Sequence, residues 1–131
     1  MKKMIFAAAL FVGFSAQAAQ VPAFKCSVPG KVTSTVAVEI AVSDSEAVDF
    51  ITVNLNDKGM INLFSQLEKG GFKTQVDAGA ITSLVLGEQF SQGDDGVVRD
   101  AGVLALGLEN AKWTGLMAVK GNVYPLECTK L

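Results

Sequence analysis

Histidine is absent from this 131-residue chain, and cysteine, arginine and proline are scarce, with two, one and three residues. Without histidine the chain cannot build Ser–His or Cys–His nucleophilic pairs, and it lacks the commonest zinc ligand. It also has no Gly-rich phosphate-binding loop of recognised spacing. These absences predict a protein that is not an enzyme and that holds no cofactor and no metal ion.

Basic residues are also few, and they form no cluster. The chain has 11 basic and 13 acidic residues, which gives a net charge of −2. Two of those 11, Lys2 and Lys3, lie in a segment that we expect to be removed. Nine basic residues then remain against 13 acidic ones, a net charge of about −4. Because nucleic-acid binding requires a basic face, no nucleic-acid partner is predicted.

The acidic residues do not form a recognisable metal loop. The stretch "QGDDG" (92–96) lacks the alternating acidic ligands and the final glutamate of an EF-hand. We therefore expect Asp94, Asp95 and Asp100 to be solvated loop residues, and we expect the same of "DSEAVD" (44–49).

The N-terminus has the layout of a secretory signal peptide. Two lysines precede an uncharged apolar run (5–14), and Ala16-Gln17-Ala18 then supplies a small-x-small cleavage pattern. The apolar run, of about ten to twelve residues, is short of the roughly twenty that a membrane-spanning helix needs. We predict that residues 1–19 are the signal peptide, with cleavage after Ala18 or Ala19.

Residues 20–131 then form one exported domain of about 112 residues, which is long enough for a core of its own. It is expected in the periplasm or outside the cell, as a monomer with no transmembrane segment after cleavage.

The two cysteines lie near opposite ends of this domain, Cys26 in "AFKCSVPG" and Cys128 in "VYPLECTKL". In an oxidising compartment such a pair is usually a disulfide, and two cysteines allow one intramolecular pairing. A bridge requires Cα atoms within about 7 Å, so the first and last strands should be neighbours. The alternatives are free thiols or an intermolecular bridge.

Alternation with a period of two predicts strands along most of the domain. The clearest is "VTSTVAVEIAV" (32–42), in which valines and an isoleucine share one face. "MINLFSQLEKGG" (60–71) fits a helix almost as well, but we favour a strand. "FKTQV" (72–76) is expected to be a short strand or part of a loop. Together with 32–42 and 60–71, the expected strands are 24–28, 47–55, 81–90, 101–110, 112–120 and 123–131.

About eight short strands with short turns predict an all-β fold, a small antiparallel barrel closed by the terminal disulfide. Closure removes the two exposed edges that an open meander would leave. The alternative is a two-sheet β-sandwich. Glycines within the strands are expected to form bulges or bends; they are Gly87, Gly102, Gly107 and Gly115. A transmembrane barrel is disfavoured, because most strands are short and only 8% of residues are aromatic.

The strand "ITSLVLGEQF" (81–90) places a charge on what should be its inner face. Leu84, Leu86 and Phe90 share that face, and Glu88 lies between the last two. A lone buried carboxylate would have a raised pKa and could be functional. We expect instead that Glu88 lies at the barrel rim and reaches water.

The stretch "FKC" (24–26), the size and the export signal resemble small periplasmic lysozyme inhibitors of the MliC type. Those inhibitors are disulfide-bonded eight-stranded barrels whose first strand has an aromatic-x-Cys pattern. The resemblance implies an inhibitor-like binding role. The Ser-Gly-rich loop ending in tyrosine that such inhibitors insert into lysozyme has no counterpart here, so the resemblance assigns no ligand-binding residue.

The sequence therefore supports two functional hypotheses. The first is an exported, non-enzymatic β-domain that binds another protein or an envelope component. The alternative is a lipocalin-like carrier of a small apolar ligand, because an eight-stranded barrel can just enclose one.

Replacing Glu88 tests the rim position. The Glu88→Gln variant should leave thermal stability almost unchanged, since a solvated carboxylate loses little when it is neutralised. Thermal melts of the two proteins measure this, and a strongly stabilised variant would contradict the rim position.

Overall fold

A computed structural model describes residues 20–30, 35–45 and 47–131. Eight strands and one helix follow one another along the described chain: β1 (Val21–Ser27), β2 (Ala37–Asp44), β3 (Val48–Asn56), β4 (Met60–Glu68), α1 (Gly71–Ala78), β5 (Ala80–Gln92), β6 (Val98–Glu109), β7 (Lys112–Val119) and β8 (Asn122–Lys130).

The strands form a closed antiparallel barrel in sequence order, so the prediction of a barrel is confirmed and the sandwich alternative is wrong. β1 pairs with β2 on one side and with β8 on the other, and Cys26 lies directly opposite Cys128. Their Cα atoms are 3.9 Å apart and the sulfurs are bonded, which confirms the predicted disulfide.

The barrel has two distinct ends. We call the one that carries α1, the β2–β3 turn and the β6–β7 turn the helix end. The opposite one, which carries the β3–β4, β5–β6 and β7–β8 turns, we call the gap end. Its β3–β4 turn is built on the tetrapeptide "NDKG" (56–59), where Lys58 and Gly59 both have positive φ.

Alternating apolar residues of the strands point inward and form one core. Val38, Val53 and Leu55 are fully buried, as the period-two pattern predicted. Near the helix end the Phe24 ring contacts Trp113 from β7 edge-on, with centroids 5.2 Å apart, and lies 6.3 Å from Phe72 of α1. Side chains of β1 and β7, the two strands that flank β8, thus meet a side chain of α1 inside the helix end.

The helix α1 replaces the predicted strand or loop at 72–76, which was wrong. Left-handed glycines, Gly70 and Gly79, lie at its two ends, the second as a C-cap that satisfies helix carbonyls. Phe72 and Val76, four residues apart, pack against the core from the same side of the helix. The strand before it is confirmed, but it ends at Glu68.

Asp49 holds the start of this helix. Its carboxylate is buried on β3, at 7% exposure, and accepts the Phe72 N–H at 3.1 Å. An anion at a helix N-terminus is stabilised by the free N–H groups there. The expectation that 44–49 is wholly a solvated loop was therefore wrong for Asp49, because tertiary folding brings a helix end to it.

The inner face of β5 is the opposite of the one predicted. Ile81, Ser83 and Val85 are buried, whereas Leu84 points outward and is 49% exposed. Because both faces of this strand carry aliphatic residues, alternation alone could not choose between them. Glu88 is exposed, so it reaches water as expected, although not from an inner face.

Some predictions fall outside the described residues. The signal peptide (1–19) does, and so do residues 32–34 of the predicted strand 32–42; residues 35 and 36 are described and precede β2, which begins at Ala37. Both stay predictions at those positions.

Two of the four glycines singled out in the sequence lie where neighbouring strands leave no room for a side chain. A Cβ on Gly115 would lie 1.9 Å from the Ala105 carbonyl oxygen, and one on Gly102 would lie 2.1 Å from that of Ala118. Glycine therefore permits the close approach of β6 and β7. A Cβ added to Gly107 would have no neighbouring atom within 4 Å, so a side chain fits there.

This contrast gives a matched pair of variants. Gly115→Ala should lower the free energy of unfolding by about 1–3 kcal/mol or more, because the new methyl group meets backbone that cannot move aside easily. Gly107→Ala, in the adjacent strand, should change it by less than about 1 kcal/mol. Urea unfolding followed by tryptophan fluorescence measures both, and equal losses would contradict the packing described.

Candidate functional site

The barrel is weakly joined between β4 and β5. In residues 47–131, all of which the structure describes, Phe64 opposite Leu86 is the one registered pair between these strands. By contrast, β3 and β4 pair along their whole length, from Val48 opposite Glu68 to Asn56 opposite Met60. Toward the helix end the seam is held by side chains: the Ser65 and Ser83 hydroxyls lie 2.5 Å apart.

Toward the gap end the registered pairing stops, although the Phe90 ring of β5 still packs edge-on against Phe64 of β4 with centroids 5.7 Å apart. A cavity of about 220 Å³ lies there. We call this cavity the seam gap. β4 contributes three consecutive residues, and β5, β6 and the β7–β8 turn contribute the rest; the lining residues are Met60, Ile61, Asn62, Glu88, Gln89, Asp100 and Lys120. Most of them are exposed, and Ile61 and Asp100 are half-buried.

A bulge in the β5–β6 hairpin shapes this cavity. The pairing register between β5 and β6 shifts between Leu86 and Ser91, opposite Asp100, which has a φ of 59°. The Asp100 carboxylate accepts the Gln89 N–H at 2.7 Å. A Cβ on Gly87 would lie 2.4 Å from that carboxylate, so the glycine makes room for it.

Asp100 is the electrostatic anchor of the seam gap. Lys120 from the β7–β8 turn donates to its other oxygen at 2.8 Å. The hydrogen bond from Lys120, followed by the one from the Gln89 N–H, lowers the pKa of Asp100 below its ordinary value. The expectation that Asp100 is a solvated loop residue was therefore wrong: it lies in β6 and ties that strand to β5 and to the β7–β8 turn.

Glu88 is the charged residue of the site that has no charged partner among the lining residues. Among the described residues its carboxylate has no hydrogen bond and no ion pair, and it is exposed. With Asp100 paired to Lys120, the charged groups around the seam gap carry one uncompensated negative charge. The site therefore favours a cationic group over an anionic one.

An apolar row crosses the outside of the barrel beside this site. Leu84, Val103, Ala118 and Val123 lie opposite one another in turn across β5, β6, β7 and β8. We call these four residues the outer row. Leu84, Val103 and Val123 are 49%, 42% and 62% exposed. Contiguous exposed apolar side chains on a soluble domain commonly mark a contact surface.

A second polar contact lies at the gap end. The Tyr124 hydroxyl donates to Asp57 in the β3–β4 turn at 2.7 Å and accepts from the Asn122 amide at 3.2 Å. The hydrogen bond to Asp57 raises the pKa of Tyr124 above its ordinary value. This contact fixes the β7–β8 turn against the β3–β4 turn, next to the start of β4.

The other acidic residues singled out in the sequence lie away from the seam gap. Asp94 and Asp95 are exposed in the β5–β6 turn, as expected. Asp95 pairs with Arg99 at 3.1 Å, and the hydrogen bond from Arg99 lowers its pKa. In the part of the chain that the structure describes, no group of three metal-ligating side chains occurs. No helix there is long and apolar enough to cross a membrane.

Sequence reasoning did not find the seam gap. It singled out Glu88 and Gly87 separately, and it had no reason to connect them with Asp100 or Lys120. The one available signal is the length of the β5–β6 hairpin, whose strands of 13 and 12 residues are longer than their neighbours. A bulge is a common feature of such hairpins.

Comparisons of the chain with protein-family models, with curated proteins and with solved structures found no significant match. The site is therefore interpreted from its own geometry.

The role of Asp100 gives a pH-dependent prediction. Because its pKa is lowered in the folded protein, its stabilising effect is present above the unfolded-state pKa of about 3.9 and is lost as the pH falls through the folded-state value. Asp100→Asn should thus be less stable than the wild type near neutral pH, by about 1 kcal/mol. Below about pH 3 the difference should shrink.

Denaturant unfolding of both proteins at the two pH values measures this difference. Asp94→Asn, a neighbouring exposed aspartate, is the matched control and should match the wild type throughout. A deficit of Asp100→Asn that is equally large in acid would show that the charge of Asp100 contributes nothing.

Proposed function

We propose that this protein is an exported, non-enzymatic β-barrel that binds another protein of the cell envelope or its surroundings. The observation that carries the proposal is the seam gap, where residues 60–63 of β4 have no registered partner in β5 although the barrel itself is closed. Exposed strand edges are sites at which other chains bind, and native proteins usually block them.

The outer row supports the same function. It begins on β5 at Leu84, two residues from the single β4–β5 pair, so apolar surface continues from the seam across three further strands. A protein partner can cover both features at once. A small ligand in the seam gap would leave the outer row exposed.

The packing of the interior favours this function over the carrier alternative. A lipocalin-like carrier needs an internal cavity that opens at one end of the barrel. Here the Phe24 ring packs edge-on against both Trp113 and Phe72 in the interior near the helix end, where α1 lies. The inward side chains of the strands join them in a single buried cluster.

Site-specific crosslinking in the producing cell tests the proposal. The photoreactive residue p-benzoylphenylalanine replaces Asn62, an exposed residue of the seam gap. The matched control carries the same residue at Glu109, which is exposed at the helix end. Irradiation should give a protein adduct at position 62 and none at position 109, as detected by immunoblotting and mass spectrometry.

Three results would argue against the proposal: no adduct at position 62, equal adducts at both positions, or a lipid adduct at position 62. Native mass spectrometry of the gently purified protein is the companion measurement. A co-purifying apolar ligand there would favour the carrier instead.

A further inference from the structure

We propose that the seam gap receives an extended segment of the partner, which pairs through its main chain with β4 at residues 60–63 and places a lysine or arginine beside Glu88. This inference rests on the proposed function, because it specifies the form in which a protein partner occupies the same site.

The main chain of β4 at residues 60–63 is paired on one side only. Residues 60–63 pair with β3 on one side, Asn56 opposite Met60 and Val53 opposite Leu63. On the other side, within the described chain, they have no paired residue in β5. Because successive N–H and C=O groups of a strand point to alternate sides, part of this segment's hydrogen-bonding capacity faces the seam gap. An extended polypeptide offers donors and acceptors at matching spacing.

The bulge of β5 is fixed by contacts with β6. The Gln89 N–H is bonded to the Asp100 side chain, so this part of β5 does not use that donor to close the seam. Gly87 and the left-handed Asp100 hold the bulge in place. The Asp100 contacts therefore hold the bulge of β5 out of regular pairing with β4 beyond Leu86, and the unpaired stretch of β4 is a property of the hairpin.

The side chains of the seam gap specify the partner segment. The free carboxylate of Glu88 provides a counter-ion for a basic residue, since Lys120 is already engaged by Asp100. Met60, 60% exposed at the mouth, offers an adaptable apolar contact for a neighbouring residue of the segment. The geometry thus favours a basic residue flanked by apolar ones, in an extended conformation.

Peptide mixtures test both parts of this inference. The first probe is a mixture of capped nonapeptides with a central lysine and the other positions randomised without proline. The second mixture has a central glutamate. A third and a fourth carry the central lysine and backbone N-methyl groups at every odd or every even position, which removes one row of N–H donors each.

Hydrogen–deuterium exchange of the mature, oxidised protein is the readout. At millimolar concentration the lysine mixture should slow exchange at residues 60–63 and leave β7 unchanged. At least one N-methylated mixture should bind about tenfold or more weakly, because main-chain hydrogen bonds are lost. The glutamate mixture should bind about two- to fivefold more weakly, as expected for a solvent-exposed ion pair.

Charge reversal at one residue completes the test. Glu88→Lys should remove the preference for the lysine mixture, whereas Glu109→Lys, the same change at an exposed residue of the helix end, should retain it. Absence of protection at 60–63, or binding that tolerates both N-methylated mixtures, would overturn the strand-pairing part. An unchanged preference in Glu88→Lys would overturn the charge part.

The crosslinking experiment tests the binding function, and the peptide experiment tests the extended segment, so their results distinguish the two proposals. A protein adduct at Asn62 with no peptide protection would leave the binding function standing and reject the extended segment. Absence of both the adduct and the peptide protection would reject the binding function together with the extended segment.

Discussion

The pairing of the first strand with the last is the constraint on which the rest of the structure depends. Four consecutive pairs join β1 to β8, from Phe24 opposite Lys130 to Ser27 opposite Glu127, and the disulfide lies within this ladder. The bond closes a sequence separation of 102 residues, which in the chain-entropy model stabilises the fold by about 4–5 kcal/mol. With this join made, neither terminal strand has a free edge.

The incomplete pairing of this barrel lies away from the β1–β8 join, between β4 and β5. A closed sheet tolerates one irregular seam, because every other strand still has two neighbours. Here that seam is β4–β5, covered at the helix end by α1 and left open at the gap end. The Asp100–Lys120 pair keeps it open by fixing the bulge of β5. The disulfide and the seam gap thus differ in effect: the first secures the barrel, and the second leaves part of β4 without a registered partner, which is the place where we propose that a partner binds.

The sequence predicted the fold better than the site. Strand alternation and the two cysteines favoured the barrel, which the structure confirms, but they left a two-sheet sandwich as the alternative. Alternation is visible within each strand, and two cysteines allow only one intramolecular pairing. The eight-residue α1 was missed: its only signals are flanking glycines and the i, i+4 pair Phe72 and Val76. The inner face of β5 was assigned wrongly, because aliphatic residues occupy both faces. Asp49 and Asp100 were expected in water, because their partners lie at least eleven residues away.

By itself, the sequence determined that the domain is built of antiparallel strands and that one covalent bond joins its ends. Those properties follow from side-chain periodicity and from having just two cysteines. Only the tertiary structure decided where the barrel is incomplete and which charges surround that opening. The physical reason is that strand register, the β5 bulge and the Asp100–Lys120 contact are set by packing between distant segments, which leaves no periodic pattern in the chain.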